Sequence, residues 1–130
     1  MFNSHGEHMV RFDDGILTVE ARGPFNNEQI TLYHAQLHSI LKRATAPWAQ
    51  LNILHQDCLF TPEGEKHMSE NIKMRKDFGL CAIAVVFVAD GANSIVEQQL
   101  GRMYAQYDIL YACFDNTEDA TIWLRKSLVE

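Results

Sequence analysis

An aspartate and a cysteine follow one predicted strand, with histidines nearby in the sequence. Asp57 and Cys58 come after the apolar segment 48–55, and ligands of open α/β sheets bind beyond the carboxyl ends of the strands. Cys58 with His55 or His67 has the residue types of a nucleophile and its general base. Nothing in the sequence shows that these side chains meet. We therefore interpret Asp57 and Cys58 as loop residues and predict no catalytic site.

Histidine spacing raises the question of a metal site. His34 and His38 are four residues apart on a predicted helix, a spacing that can bind one metal ion. A third ligand is missing from the neighbouring sequence, so we interpret the pair as ordinary helix residues. His5 and His8 lie near a loose terminus, where a metal site would be poorly held. The sequence therefore predicts no metal and no cofactor.

The apolar segment 80–89 organises the rest of the chain. It runs without interruption between Gly79 and Asp90, and it is rich in valine, isoleucine and phenylalanine. It is too short to cross a membrane as a helix. Such a run is typical of a strand buried on both faces. Alternation then predicts that Ile83, Val85 and Phe87 face one helical layer, and that Ala84, Val86 and Val88 face the other.

Turn and capping residues divide the chain into nine elements. The strands are predicted at 8–12, 16–21, 48–55, 80–89 and 109–114. The helices are predicted to begin after Asn26 or Asn27, Thr61, Ser94 and Asp115. A tight turn at 13–15 makes the first two strands antiparallel. The order of elements predicts an α/β fold with one five-stranded mixed sheet. The first strand is antiparallel, the other strands are parallel, and four helices cover both faces of the sheet. One domain is predicted over 8–130, after a frayed terminus at 1–7.

The second predicted helix, at about 62–78, has a thin apolar stripe. Gly64, Met68 and Ile72 form that stripe, whereas Lys73, Arg75 and Lys76 are cations that suit the end of a helix. We predict that this helix is the most weakly held and therefore the mobile element. An adaptable apolar pocket beneath it is one interpretation of the methionine and phenylalanine residues around it, and ordinary core packing is the other. Those residues are Met68, Met74, Met103, Phe60 and Phe78.

Composition narrows the classes of function. The chain has 130 residues and a formal net charge of -6, which argues against a nucleic-acid partner because the phosphate backbone calls for a basic surface. Three cysteines without a Cys-x-x-Cys pair fit a reducing compartment, and Cys81 and Cys113 fall within predicted core strands. The sequence has neither a signal-peptide pattern nor a transmembrane pattern. We therefore predict a cytoplasmic protein.

The order of elements resembles the SpoIIAA-like family of the STAS superfamily, the sulfate-transporter and anti-sigma-factor-antagonist domains. The closing segment 114–124 looks like the last strand of that family and its Ala-x-x-Trp-Leu helix, and the opening segment 12–23 is similar to its first two strands. The resemblance covers nearly the whole chain. It implies a non-enzymatic regulatory module that acts through protein contacts.

Classical STAS domains carry a phosphorylated serine at the start of the second helix. Aligned without gaps, that motif falls on Phe60, Thr61, Pro62 and Glu63 of this chain. Pro62 takes the place of the phosphate acceptor, and only Thr61 keeps a hydroxyl. We therefore predict that the classical phosphorylation switch is absent. The resemblance then implies the fold and the location of a binding surface, at the start of the second helix.

Three hypotheses of function follow. The first is a STAS-like regulatory module that binds an unidentified protein. That partner includes the case of a second copy of the chain, in a homodimer. The second is a carrier or sensor of a small, apolar, lipid-like ligand beneath the second helix. The third is an enzyme that uses Asp57, Cys58 and a histidine, and we predict that the chain is not an enzyme. The predicted partner-binding or ligand-binding residues are Asp57, Cys58, Phe60, Thr61, Glu63, Met68 and Ile72.

Overall fold

Five strands and four helices make up the described part of the protein. The computed structural model describes residues 7–23, 27–55, 60–88 and 94–129. The strands are β1 (Glu7–Asp13), β2 (Ile16–Arg22), β3 (Trp48–Leu54), β4 (Leu80–Phe87) and β5 (Leu110–Phe114). The helices are α1 (Asn27–Leu41), α2 (Pro62–Asp77), α3 (Ser94–Gln106) and α4 (Thr117–Val129). The predicted α/β class and order of elements are confirmed.

Strands β1 and β2 form the predicted antiparallel hairpin. Asp14 and Gly15 connect them with φ angles of 52° and 77°, and Asp13 pairs with Ile16 across the turn. Two consecutive positive φ angles give a turn whose twist matches that of the flanking strands. Strand β1 begins at Glu7, one residue earlier than predicted.

The sheet has the order β1-β2-β3-β4-β5, and every pair after the first is parallel. Each new strand is added on the same side of the previous one, so right-handed crossovers place all three connecting helices on one face. Leu37 of α1, Ile72 of α2 and Leu100 of α3 share the core on that face. Helix α4 covers the opposite face through Ala120 and Leu124. Helices therefore cover both faces, as predicted, in a three-to-one division.

Strand β4 alternates between the two cores as predicted. Ile83 and Val85 lie in the core beneath the three helices, whereas Ala84 and Val86 lie in the core beneath α4. The predicted end of the strand was wrong. Strand β4 ends at Phe87, and the Val88 side chain is 40% exposed.

Strand β5 is an edge strand, which corrects the prediction that Cys113 lies in a core strand. Among the described strands it pairs with β4 alone, so no described strand lies on its other side. Cys113 is exposed, and Cys81 on β4 is half-buried. The predicted start of β5 at 109 is also one residue too early, because β5 begins at Leu110.

Local side-chain chemistry sets the helix ends. Thr61 caps α2 as predicted, and its hydroxyl accepts a hydrogen bond from the Gly64 N–H at 3.0 Å. The predicted cap of α4 was wrong. Asn116 replaces Asp115 in that role, because Asn116 Oδ1 accepts from the Asp119 N–H at 2.8 Å. The side chains of Asn26, Asn27 and Ser94 lie outside the described residues.

Gly79 allows the tight connection from α2 to β4. Its φ angle is 113°, and a Cβ atom at this position would lie 2.4 Å from the Cβ of Ala46. Any other residue would therefore strain the backbone and collide with the loop before β3. Among the helices of the described ranges, none has the length and apolar character needed to span a bilayer.

Candidate ligand cavity beneath helix α2

A cavity of about 40 Å³ lies between the sheet and the three helices on its larger face. Strands β2 and β3 form its floor, and α1, α2 and α3 form its walls. Most of its surface is apolar. The lining residues are His8, Val19, Ala21, Gln29, Ile30, Tyr33, Asn52, Leu54, Phe60, Met68, Arg75, Leu100 and Tyr104.

Strand β3 contributes two amide side chains to this face of the sheet. Its alternation places Gln50 and Asn52 on the same side as Trp48 and Leu54. Both amides are buried. Gln50 Nε2 donates to Asn52 Oδ1 at 2.5 Å, and Asn52 Nδ2 donates to the Tyr104 hydroxyl at 3.1 Å. Asn52 is a polar residue in an interior strand, and both its amide oxygen and its amide nitrogen are hydrogen-bonded here.

Arg75 of α2 extends into this polar group and is only 1% exposed. Its Nη1 donates to Gln50 Oε1, and its Nη2 donates to Met68 Sδ at 3.3 Å. Its Cζ lies 5.6 Å from the ring centroid of Tyr33. Arg75 lies in the last turn of α2, as predicted, but the sequence did not indicate that its side chain is buried. Positions 68, 71, 72 and 75 share one helix face, and α2 turns this face to the sheet.

The charge of Arg75 is unbalanced within the described part of the chain. No carboxylate there lies within 4.0 Å of its guanidinium, and its buried Nε has no hydrogen-bond partner. Burial raises the pKa of Tyr104 to about 12, although the Arg75 charge acts to lower it. Tyr104 is therefore a neutral phenol at physiological pH. The cavity thus combines apolar walls with one buried cation and neutral polar groups.

The residues predicted as a binding surface have different positions. Phe60 and Met68 line the cavity, whereas Ile72 is fully buried in the core beneath α2. Thr61 and Glu63 are exposed at the start of α2. Asp57 and Cys58 lie outside the described residues. The assignment of these seven residues as a binding surface stays a prediction.

The other candidate pocket residues belong to the core. Met103 is buried, and Met74 and Phe78 are half-buried against the same cluster of side chains. None of the three is a lining residue of the cavity. The sequence reasoning missed Tyr33, Gln50 and Tyr104, although a glutamine and an asparagine at alternate positions of an interior strand are a recognisable signal.

The histidines make separate local contacts. His34 Nδ1 lies 2.9 Å from Nδ2 of the buried Asn71, and the His38 ring packs edge-on against Phe78. His8 lies on β1, where its Nε2 is 2.8 Å from Gln36 Oε1, so it is not part of a loose terminus. Within 7–23, 27–55, 60–88 and 94–129, no group of three or more potential ligands could hold a metal ion.

Acidification is expected to destabilise the fold through His34. Burial lowers the pKa of His34 below its ordinary value of 6.5, and His67, His38 and Arg75 lower it further. The unfolded chain then binds more protons, so this contribution to stability is complete above about pH 6.5 and is lost as the pH falls through the folded pKa. Urea midpoints at about pH 7.5 and about pH 5 measure the loss. His34→Gln should reduce the difference, and an unchanged difference would contradict this account.

The two described cysteines are poor nucleophiles. Burial raises the pKa of Cys81, and it raises the pKa of Cys113 to about 11. The Cys113 sulfur also lies 3.2 Å from the Tyr111 hydroxyl. Because the thiolate is the reactive form of cysteine, neither side chain is activated for covalent chemistry at neutral pH.

A solved structure shares this fold. No protein-family model matches the sequence, and no curated protein matches it either. The solved structure is an uncharacterised protein of the DUF3478 family, with a SpoIIAA-like fold, from Shewanella loihica PV-4. It superposes with a TM-score of 0.64 over 95% of this chain and 98% of that chain, at 13% sequence identity. The likeness shows the fold alone, and it confirms at that level the resemblance drawn from the sequence. The protein has a SpoIIAA-like fold.

Proposed function

We propose that the protein is a non-enzymatic binding module that holds a small, largely apolar molecule beneath α2. The cavity carries this proposal. Ligand sites are typically concave and apolar, with a few polar groups that converge on the ligand. This cavity has aliphatic and aromatic walls, and the polar atoms of Tyr33, Asn52, Arg75 and Tyr104 meet at one side of it.

Helix α2 must move outward when the ligand binds. The cavity volume of about 40 Å³ is well below the roughly 150 Å³ of an engineered cavity that binds benzene. Helix α2 is the wall that can yield, because its only buried apolar side chains are Met68 and Ile72. Its other buried side chains, Asn71 and Arg75, are polar, so α2 buries little apolar area.

Calorimetric titration with 1-octanol, an uncharged apolar probe, tests the proposal. Ala21 is 4% exposed and lines the cavity, so Ala21→Leu places a side chain in the ligand space. Ala105 is exposed on α3, and Ala105→Leu is the matched control. We expect saturable binding to the wild type and the control, and a loss of about tenfold or more in Ala21→Leu.

Each result has a clear meaning once both variants are shown to melt like the wild type. Equal octanol affinity in Ala21→Leu and Ala105→Leu would place the ligand elsewhere and overturn the cavity as the site. An absence of saturable binding to the wild type would overturn the proposed function itself.

The absence of catalysis is also a proposal. The described thiols are protonated at neutral pH, as shown above, and none of the described residues that line the cavity carries a carboxylate. The SpoIIAA-like fold supports a binding role by analogy only. The cytoplasm stays the predicted location.

A protein partner at the start of α2 is the second candidate function. Thr61, Pro62 and Glu63 are all exposed there, and the resemblance to STAS domains implies a binding surface at this place. Photo-crosslinking in cells tests this candidate function, with a photo-crosslinking residue in place of Glu63. A discrete adduct that is absent with the same residue at Glu118, exposed on α4, supports a partner. Identical patterns of crosslinked adducts from the two positions would contradict a partner at the start of α2.

We expect Thr61 to remain unphosphorylated. Its hydroxyl already caps α2 through Gly64, and Pro62 occupies the place of the usual acceptor. Incubation with cell extract and ATP, followed by intact-mass measurement, checks this. A stoichiometric gain of one phosphate that is lost in Thr61→Val would contradict the expectation.

A further inference from the structure

Arg75 is a permanently charged group that lines a largely apolar cavity. An arginine side chain does not lose its proton in proteins, and Arg75 is 1% exposed. Its partners in the described chain, Gln50 Oε1 and Met68 Sδ, are both uncharged. A buried charge without a counter-ion is strongly unfavourable. The position therefore calls for an anion that the described chain does not supply.

A purely structural role explains this arginine less well. Arg75 links α2 to β3 through Gln50, but an apolar pair of similar volume would join these elements without the cost of burying a charge. A structural role also leaves the buried Nε without a partner. A function that uses the charge accounts for both observations.

The hydroxyl groups around Arg75 are arranged to assist an anion. Gln50 Nε2 donates to the Tyr33 hydroxyl at 3.3 Å, and Asn52 Nδ2 donates to the Tyr104 hydroxyl at 3.1 Å. Each phenol oxygen thus accepts a hydrogen bond, so its own hydrogen can be donated to a ligand. Both tyrosines and Arg75 line the cavity.

From this arrangement we infer that the ligand is an aliphatic carboxylate whose head group binds Arg75 and whose tail lies against the apolar walls. This inference rests on the proposed function, and it specifies the chemical class of the ligand. Guanidinium and carboxylate match in geometry and form strong paired hydrogen bonds. One guanidinium balances one negative charge, which favours a carboxylate over a doubly charged phosphate. Val19, Ala21, Ile30, Leu54 and Leu100 supply the apolar surface for the tail.

The test compares four probes with the same tail, namely octanoate, 1-octanol, octylamine and octyl phosphate. Calorimetry on the wild-type protein should give octanoate an affinity about tenfold or more above that of octanol, which is the range for a hydrogen bond to a charged group. Octylamine should bind more weakly than octanol, because its charge repels Arg75.

Gln50→Glu is the decisive variant. It replaces the side-chain NH2 group with an oxygen, and it places a carboxylate where Gln50 Oε1 already accepts from Arg75. The protein then supplies its own counter-ion. We expect the preference for octanoate over octanol to disappear. Arg75→Met should give the same pattern without adding a charge.

The outcomes separate the two proposals. Octanoate preference in the wild type that is lost in Gln50→Glu supports the carboxylate site. Equal affinities for octanoate and octanol in the wild type, or tighter binding of octyl phosphate, overturn the inference and leave the apolar site intact. If the preference for octanoate survives in both Gln50→Glu and Arg75→Met, the anion binds away from Arg75, and the inference is also overturned. Failure of all the probes to bind overturns the proposed function as well.

Discussion

Val85→Asp is expected to unfold the protein. Val85 is completely buried at the centre of β4, between β3 and β5 and beneath the three helices. An aspartate there would place a charge in the core without a counter-ion, at a cost of about 3–5 kcal/mol or more. A domain of this size has a total stability of about 5–15 kcal/mol. Circular dichroism should therefore show the loss of the cooperative thermal transition or a large fall in Tm.

Val88→Asp is the matched control for that experiment. Val88 follows directly after β4, and its side chain is 40% exposed. The same substitution should therefore cost little, about 0.5 kcal/mol or less. A wild-type Tm in Val85→Asp, or equal losses in the two variants, would contradict the position of β4 in the sheet.

Backbone amides in 65–76 of α2 are expected to exchange hydrogen about a hundredfold or more faster than those in 83–88, which comprise the second half of β4 and the residue after it. Helix α2 buries two apolar side chains besides Gly64, whereas β4 is hydrogen-bonded on both sides and buried on both faces. Segments with little buried apolar area open at free energies well below that of global unfolding. Amide exchange followed by mass spectrometry resolves the two segments.

Helix α3 is the internal control for this measurement. It packs on the same face, but it buries Val96, Leu100, Met103 and Tyr104, so it should exchange more slowly than α2. If 65–76 exchanged as slowly as 83–88, α2 would belong to the rigid core. The opening that the proposed function requires would then be wrong.

Local sequence patterns predicted the elements because local chemistry determines them. Asp14 and Gly15 take the positive φ angles that the hairpin needs, and the apolar run of β4 fits no exposed structure. Thr61 followed by Pro62 marks the start of α2. These signals depend on a few neighbouring residues, so they can be interpreted without knowledge of the tertiary structure.

The arrangement of the elements depends on the order of the strands, which local patterns do not determine. The three-to-one division of helices follows from a sheet that grows in one direction. The exposure of Cys113 follows from the edge position of β5. Asn116 and Asp115 are adjacent residues of similar capping ability, and the backbone geometry of the turn decides between them.

The candidate site could be predicted only in part. Met68 was named because it belongs to the thin apolar stripe of α2, and Phe60 because it precedes that helix. The polar side of the cavity combines Tyr33, Asn52, Arg75 and Tyr104, which come from four different elements. Burial of Arg75 contradicts the usual preference of a charged residue for water. Sequence rules of this kind fail most often at functional sites.

Native mass spectrometry of the protein purified from cells tests the central claim most directly, which is that the cavity beneath α2 holds a small molecule. We expect one bound molecule per chain under native conditions, released on denaturation and identified in the organic extract by its mass. Ala105→Leu should retain this molecule, and Ala21→Leu should lose it. A native mass equal to the denatured mass, together with an absence of octanol and octanoate binding by the wild type, would contradict the claim.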